Sequence, residues 1–167
     1  MGRIGTHLLR CIKGFDPLQI LVNDIKPDNE LSQEFKLKWV TKEQIYNEAD
    51  LISLHLPLTS LTKNMIRREQ LLSMKSDAMI INTSRGGIIN ERDLHDVMVA
   101  GHLSGAAIDV FEHEPIDPTN PLSKMDNVVL TPHIAGITWD TWSRRAKFAY
   151  SNMQRVWKGE APQSVAQ

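Results

Sequence analysis

The sequence predicts a doubly wound parallel α/β sheet. Two observations carry that expectation. Five or six short apolar runs alternate with segments of helical periodicity, and polar residues able to do chemistry begin where several of those runs end. Runs such as Ala78-Met79-Ile80-Ile81 are apolar on consecutive positions, as strands covered on both faces are. Strand–helix–strand alternation joins such strands in parallel through right-handed crossovers.

The elements follow in order. Ile4, Leu8, Cys11 and Ile12 fall at helical spacing and Gly14 stands at the expected stop, so a helix comes first with no strand before it. Leu18 to Val22 predicts a strand ending at Asn23-Asp24, and Lys26-Pro27-Asp28-Asn29 is a turn by its residue types. Leu37 to Val40 is a short strand. Thr41 with Gln44 three residues later matches a capping box and announces a helix through about Glu48. Asp50 to Leu54 is the next strand, stopped by Pro57, and Ile66 to Met74 is helical and leads to the strand at Ala78. Asn90 caps the following helix, with Asp93 in its first turn and Gly101 closing it. Ala106 to Val110 is a strand. Pro115, Pro118 and Pro121 make 112–127 a loop, and Val128 to Leu130 is the last strand before Pro132-His133. Thr138 to Trp157 has the length of a helix and precedes a polar tail.

At 167 residues, with 41% apolar and 23% charged content, the composition is that of one ordinary globular domain able to build a core. The formal charge is -1 with no block of like charge, which argues against nucleic-acid and membrane surfaces. A single cysteine, Cys11, makes no internal disulfide, and no segment has the layout of a membrane span or signal peptide, so a cytoplasmic setting is expected. No metal is expected.

Gly2-Arg3-Ile4-Gly5 matches the second half of the dinucleotide fingerprint G-x-G-x-x-G, in which glycines let pyrophosphate approach the backbone and let helix and strand pack closely. The first glycine and its strand are absent, and a helix start with two packing glycines is the alternative. Asp24 ends the next strand about 20 residues on, where a carboxylate accepts hydrogen bonds from the adenosine ribose and repels a ribose phosphate, favouring NAD over NADP. An Asx-turn before Pro27 would also explain it.

Arg85 follows the apolar run at Ala78 and precedes Gly86-Gly87, while Asp109, Glu114 and His133 lie at or just after the ends of other predicted strands. Ligands of open parallel sheets bind outside the carboxyl ends of the strands. A guanidinium fork matches a carboxylate, an imidazole takes a hydroxyl proton near neutral pH, and a carboxylate orients that imidazole. Together these are the parts needed to oxidise a 2-hydroxy acid. The plainer alternatives are a solvent-facing Arg85, a structural His133 and a solvated Glu114, with Glu112 as the rival carboxylate. His7, His55, His95, His102 and His113 read as surface or capping residues, and Trp139 and Trp142 as core or a subunit contact.

The blocks Asn82-Thr83-Ser84-Arg85-Gly86-Gly87, Gly105 to Pro115 and Thr131-Pro132-His133-Ile134-Ala135-Gly136 resemble the signatures of the D-isomer-specific 2-hydroxyacid dehydrogenases, the phosphoglycerate dehydrogenase-like family. The resemblance runs from Gly2 to about Gly159. It implies a Rossmann-like NAD-binding domain in which Arg85 binds the substrate carboxylate and carbonyl oxygen, His133 is the acid/base and Glu114, rather than Glu112, pairs with His133. It also implies NAD as cofactor, with Gly2, Arg3, Ile4 and Gly5 along the pyrophosphate and Asp24 on the ribose. Pro57 would lie near the adenine side and Thr83 and Ser84 beside the cofactor; Asp109 would meet the nicotinamide amide, and His133, Ala135 and Gly136 complete the cofactor contacts. The implied partners are a small 2-hydroxy or 2-keto acid and a second copy of the chain.

Two departures shape the expectation. Neither a substrate-holding domain nor the first strand of the nucleotide-binding sheet precedes the fingerprint, so Met1 looks like a point of truncation. Residues 1–137 are then a dinucleotide-binding domain lacking its first strand, and 138–167 a helix and tail packing toward the absent domain. The strands flanking the gap close up, or another chain supplies a strand, or the piece folds poorly. The expected function is an NAD-dependent D-2-hydroxyacid oxidoreductase with little activity alone; the alternative is an NAD-binding or dimerising regulatory module without catalysis.

Overall fold

In the computed structural model, which describes residues 1–164, six strands run parallel in two sheets. Strand β1 (Ile20–Val22) pairs with β2 (Leu37–Trp39). Strands β3 (Leu51–Leu54), β4 (Met79–Asn82), β5 (Gly105–Ile108) and β6 (Val128–Leu130) form the second sheet in that order. In the doubly wound order 3-2-1-4-5-6, β2-β1 take positions 3-2 and β3-β4-β5 take 4-5-6, with β6 extending the sheet. No described strand takes position 1. The strands flanking it have not closed up: β1 and β3 each have a neighbour on one side only.

The helices are α1 (Arg3–Ile12), α2 (Asn29–Phe35), α3 (Lys42–Glu48), α4 (Arg68–Ser73), α5 (Glu91–Val99) and α6 (Trp139–Trp157). Local chemistry sets several ends. Thr41 and Gln44 form the reciprocal capping box at α3, and Asn90 Oδ1 accepts from the Asp93 N–H at 2.9 Å at the start of α5. Helix α2 has no counterpart in the sequence expectation, which had only a turn at Lys26–Asn29. Its seven residues bury Phe35 alone, so it carries almost no periodicity; Asp28 starts it by accepting from Leu31 N at 3.1 Å. Helix α1 stops at Ile12 and a 3-10 turn, Lys13–Phe15, carries the chain past Gly14, so the left-handed residue is Asp16 (φ 47°). Ile66 pairs with Ile89 in an isolated parallel bridge, and α4 begins only at Arg68.

One buried cluster joins Tyr46 of α3, Leu71 of α4, and Leu94 and Val97 of α5 to Ile52, Ile80 and Ala106 on one face of the larger sheet. The register sets Ile80 opposite both Ile52 and Ala106, so these three point the same way. On the other face Met79 and Leu51 are about half exposed, so the run at Ala78 is not buried on both sides as its composition suggests. The reason is that α3, α4 and α5 all contribute to the single face that carries Ile80. Leu9, Val22 and Phe35 are buried outside this cluster, so the β1-β2 pair has only a small core.

The chain divides into two compact units, Met1–His133 and a second that starts at Ile134 and contains α6. Thr138 caps α6 by accepting from Thr141 N at 3.1 Å.

Parallel strands with one neighbour leave half their peptide groups without ladder partners. Amides of β4 and β5 should therefore exchange with deuterium at least about tenfold more slowly than those of β1, a difference that local opening energies govern. Uniform protection across both sheets, read by NMR or mass spectrometry, would contradict the split.

Candidate active site at the carboxyl edge of the sheet

Asn82 ends β4 with its side chain buried, and it organises the turn that carries Arg85. Its Oδ1 accepts from the Ser84 N–H at 3.0 Å and the Ser84 hydroxyl at 2.7 Å, while its Nδ2 donates to the Arg85 carbonyl at 3.0 Å. A buried amide with both ends satisfied fixes a turn without strain. The exposed Arg85 guanidinium donates from Nη1 to the Ser84 carbonyl at 2.6 Å. Gly86 then lies so close to the next loop that a Cβ there would sit 1.8 Å from the Phe111 carbonyl oxygen. Gly87 has φ 77°, in the region that favours glycine.

Beyond β5, the buried Asp109 accepts from the Thr131 hydroxyl at 2.5 Å through Oδ1. Its carbonyl accepts from the His133 N–H at 2.8 Å, and that N–H also reaches the Thr131 carbonyl at 3.0 Å. These bonds hold His133 at φ 55°, a left-handed conformation uncommon outside glycine. Glu114 completes the arrangement. Its Oε1 accepts from the Phe111 N–H at 3.0 Å and its Oε2 lies 2.8 Å from His133 Nδ1. The His133 bond first, then the Phe111 N–H, holds the Glu114 carboxyl below its ordinary range. Nδ1 engaged by a carboxylate leaves Nε2 for a substrate proton. Glu112, the rival carboxylate, instead accepts from the Glu91 N–H at 3.1 Å.

Of the residues expected to meet a cofactor, Asp24, Pro57, Thr83 and Ser84 follow the carboxyl ends of β1, β3 and β4 in the first unit. Gly2 precedes α1 with no side-chain cap on the first turn, and nothing stands within 4 Å of where its Cβ would be. Arg3 and Ile4 follow on the exposed side, and Gly5 is buried against the Met1 side chain. Asp24, just beyond β1, lies 4.0 Å from the Met1 nitrogen through Oδ2, and its Oδ1 accepts from Lys26 N at 3.3 Å. Asp24 thus makes the Asx-type turn expected of it. An open cleft beside Asp24 is lined by Asn23, Pro27, Trp39 and Thr41. N–H donors at an uncapped helix N-terminus, with an accepting carboxylate at the next strand's end, fit a dinucleotide. Pro57 follows β3 and its carbonyl accepts from the Thr62 hydroxyl at 2.7 Å. Thr83 is exposed and Ser84 buried in the Asn82 turn, while Ala135 and Gly136 belong to the second unit.

The structure thus joins Glu114 to His133 and ties Asp109 to the backbone that carries His133. Among the described hydrogen bonds, the Arg85 side chain meets only Ser84. Sequence reasoning overlooked Asn82 and Thr131. An asparagine directly after Ile80-Ile81 was the available signal for the first; the second depends on a contact 22 residues away. His55 is half-buried beside β3, with Nε2 3.0 Å from the Ser53 hydroxyl, and burial lowers its pKa.

A parallel α/β sheet with these groups at its carboxyl edge is a dinucleotide-binding domain of the doubly wound class. Residues 1–135 match the family described as D-isomer specific 2-hydroxyacid dehydrogenase, NAD binding domain. The chain belongs to that family, and its cofactor is NAD. It is 41% identical to the glyoxylate reductase of Korarchaeum cryptofilum over 99% of this chain and 49% of that protein. It is 34% identical to the D-3-phosphoglycerate dehydrogenase of Methanocaldococcus jannaschii over 99% of this chain and 31% of that protein. The D-lactate dehydrogenase of Lactobacillus jensenii, solved with NAD+, superposes with a TM-score of 0.90 at 26% identity, covering 100% of this chain and 53% of that one. The chain spans about half the length of the glyoxylate reductases it matches. No described helix is long and apolar enough to cross a membrane.

Two outcomes are expected. Gly86→Ala should lower stability by about 2 kcal/mol, the cost of forcing apart close-packed backbone, read as a fall in the urea midpoint. Glu114 is bound more tightly as the anion when folded, so its contribution is complete above its unfolded pKa and is lost as pH falls through the lower folded value. A carbon-13 titration should find its midpoint below the ordinary ~4.3; a midpoint at or above that value would remove the His133 pairing.

Proposed function

We propose that this chain supplies the NAD-binding and proton-transferring side of a D-2-hydroxyacid oxidoreductase acting on a small 2-hydroxy or 2-keto acid. The observation that carries the reading is the Glu114–His133 pair, 2.8 Å between carboxylate and imidazole, with the second carboxylate oxygen anchored by the Phe111 N–H. A carboxylate on Nδ1 fixes ring orientation and leaves Nε2 to take a proton from the C2 hydroxyl. In the reverse direction the same Nε2 returns the proton to the C2 oxygen. Bound NAD supplies the hydride acceptor or donor. Arg85, exposed beyond β4, offers its planar fork to the substrate carboxylate. Asp109 is assigned to the nicotinamide amide, Asp24 to the ribose, Gly2 to Gly5 to the pyrophosphate, and Pro57, Thr83, Ser84, Ala135 and Gly136 to further cofactor contacts.

The identities of the relatives support a small acid as substrate. A homodimer is part of the same proposal, supported by Trp139 and Trp142 standing 92% and 58% exposed on α6. So is a cytoplasmic setting, for which the support is a lone cysteine. Residues 138–164 are assigned to a helix and tail that meet a substrate-holding domain; the last three residues of that expected segment lie outside the described residues.

The isolated chain should bind NADH by calorimetry, weakened about tenfold by Asp24→Ala through loss of charged hydrogen bonds, while turning over glyoxylate, pyruvate or hydroxypyruvate barely at all. Exchanged for the matching segment of the Korarchaeum protein, it should give NADH-dependent glyoxylate reduction, which His133→Asn lowers about a thousandfold, the range of general acid–base catalysis. Full activity of the His133→Asn chimera would overturn the acid/base assignment, and brisk turnover by the isolated chain would overturn its dependence on a second domain.

A further inference from the structure

Two carboxylates with no part in the proposed chemistry fasten the site's two loops together. Glu91 opens α5, directly after the segment that carries Arg85; Glu112 stands between β5 and Glu114. Their bonds are reciprocal: the Glu91 N–H donates to Glu112 Oε1 at 3.1 Å, and the Glu112 N–H donates to Glu91 Oε1 at 2.5 Å. Glu91 Oε2 also accepts from Asn120 Nδ2 at 3.0 Å, while Asn120 Oδ1 caps the short turn Pro121–Lys124 through Leu122 N at 3.0 Å. Glu91 therefore grips residues 112 and 120, the two ends of the stretch that contains Glu114. Just before it, the Gly86 backbone abuts the Phe111 carbonyl, and the Phe111 N–H holds Glu114 Oε1. Both carboxylates lie at the N-terminus of α5, where free N–H groups and the helix dipole favour negative charge.

We propose that Glu91, Glu112 and Asn120 are positioning residues that hold Glu114 against His133 and keep that pair in register with the Arg85 turn. The inference rests on the reading of Arg85, Glu114 and His133 as the reacting set. A purely helix-capping role would affect α5 alone. Positioning extends to a carboxylate that neither glutamate touches, because the loop it stands on is free to move once its ends are released.

The test is a carbon-13 titration of Glu114 in the 167-residue chain, with Glu91→Ala, the double variant Glu112→Ala/Asn120→Ala and Glu112→Gln compared at equal helicity. Glu91→Ala removes the acceptor of both the residue-112 N–H and Asn120 Nδ2, and the double variant removes the side-chain tethers at 112 and 120; each should raise the Glu114 midpoint by at least about half a pH unit as the loop is released and its two partners are lost. Glu112→Gln keeps an acceptor oxygen for the Glu91 N–H and should retain the native midpoint. Glu112 is exposed and Asn120 half-buried, so the double variant keeps the test open if Glu91→Ala does not fold. An unchanged Glu114 midpoint in folded Glu91→Ala, or in the folded double variant, would overturn the proposal. A raised midpoint, together with failure of the glyoxylate reductase chimera, would support the positioning and overturn the catalytic reading instead.

Discussion

Everything at the site depends on parallel register carried past the ends of the strands. Pairing sets Asn82 level with Ile108 and Ile108 level with Leu130. The hydrogen-bonding then continues one step beyond each strand: Asp109 N–H to the Asn82 carbonyl at 3.0 Å, Thr131 N–H to the Ile108 carbonyl at 3.1 Å, and His133 N–H to the Asp109 carbonyl at 2.8 Å. Because the strands are parallel, all their carboxyl ends fall on one edge, and three loops far apart in sequence begin from one rigid line. A one-residue slip at β5 would turn Asp109 to the opposite face.

On that line the side chains divide the work. Asn82 is buried with both ends of its amide bonded, so it shapes a turn and leaves Arg85 exposed. Glu114 is partly exposed and charged, with an imidazole on one oxygen and a backbone N–H on the other. A buried amide spends its hydrogen bonds on geometry, whereas a carboxylate near solvent keeps its charge for a neighbour. Close backbone contact at Gly86 links the two, since any side chain there would strike the Phe111 carbonyl.

Legibility in the sequence followed the range of the interactions. The capping box at Thr41 and the cap at Asn90 were readable because their partners lie three residues away. Helix α2 was not, because seven residues burying one side chain carry no period. The run at Ala78 announced a strand correctly but overstated its burial, since the packing of helices decides which face is covered. Glu114 was preferred to Glu112 only through family resemblance; nothing local distinguishes two glutamates two residues apart, and the three-dimensional loop sends one to His133 and the other to Glu91.

The sequence by itself determined the alternation of strands and helices, the polar residues that follow the strands and the acidic end of β1, because periodicity, caps and breakers act over a few residues. Only the tertiary structure decided that the parallel sheet divides between β1 and β3, that Asn82 rather than a glycine governs the Arg85 turn, and that His133 turns into a left-handed conformation against Asp109. These outcomes rest on hydrogen bonds and contacts between residues tens of positions apart, which no local pattern encodes.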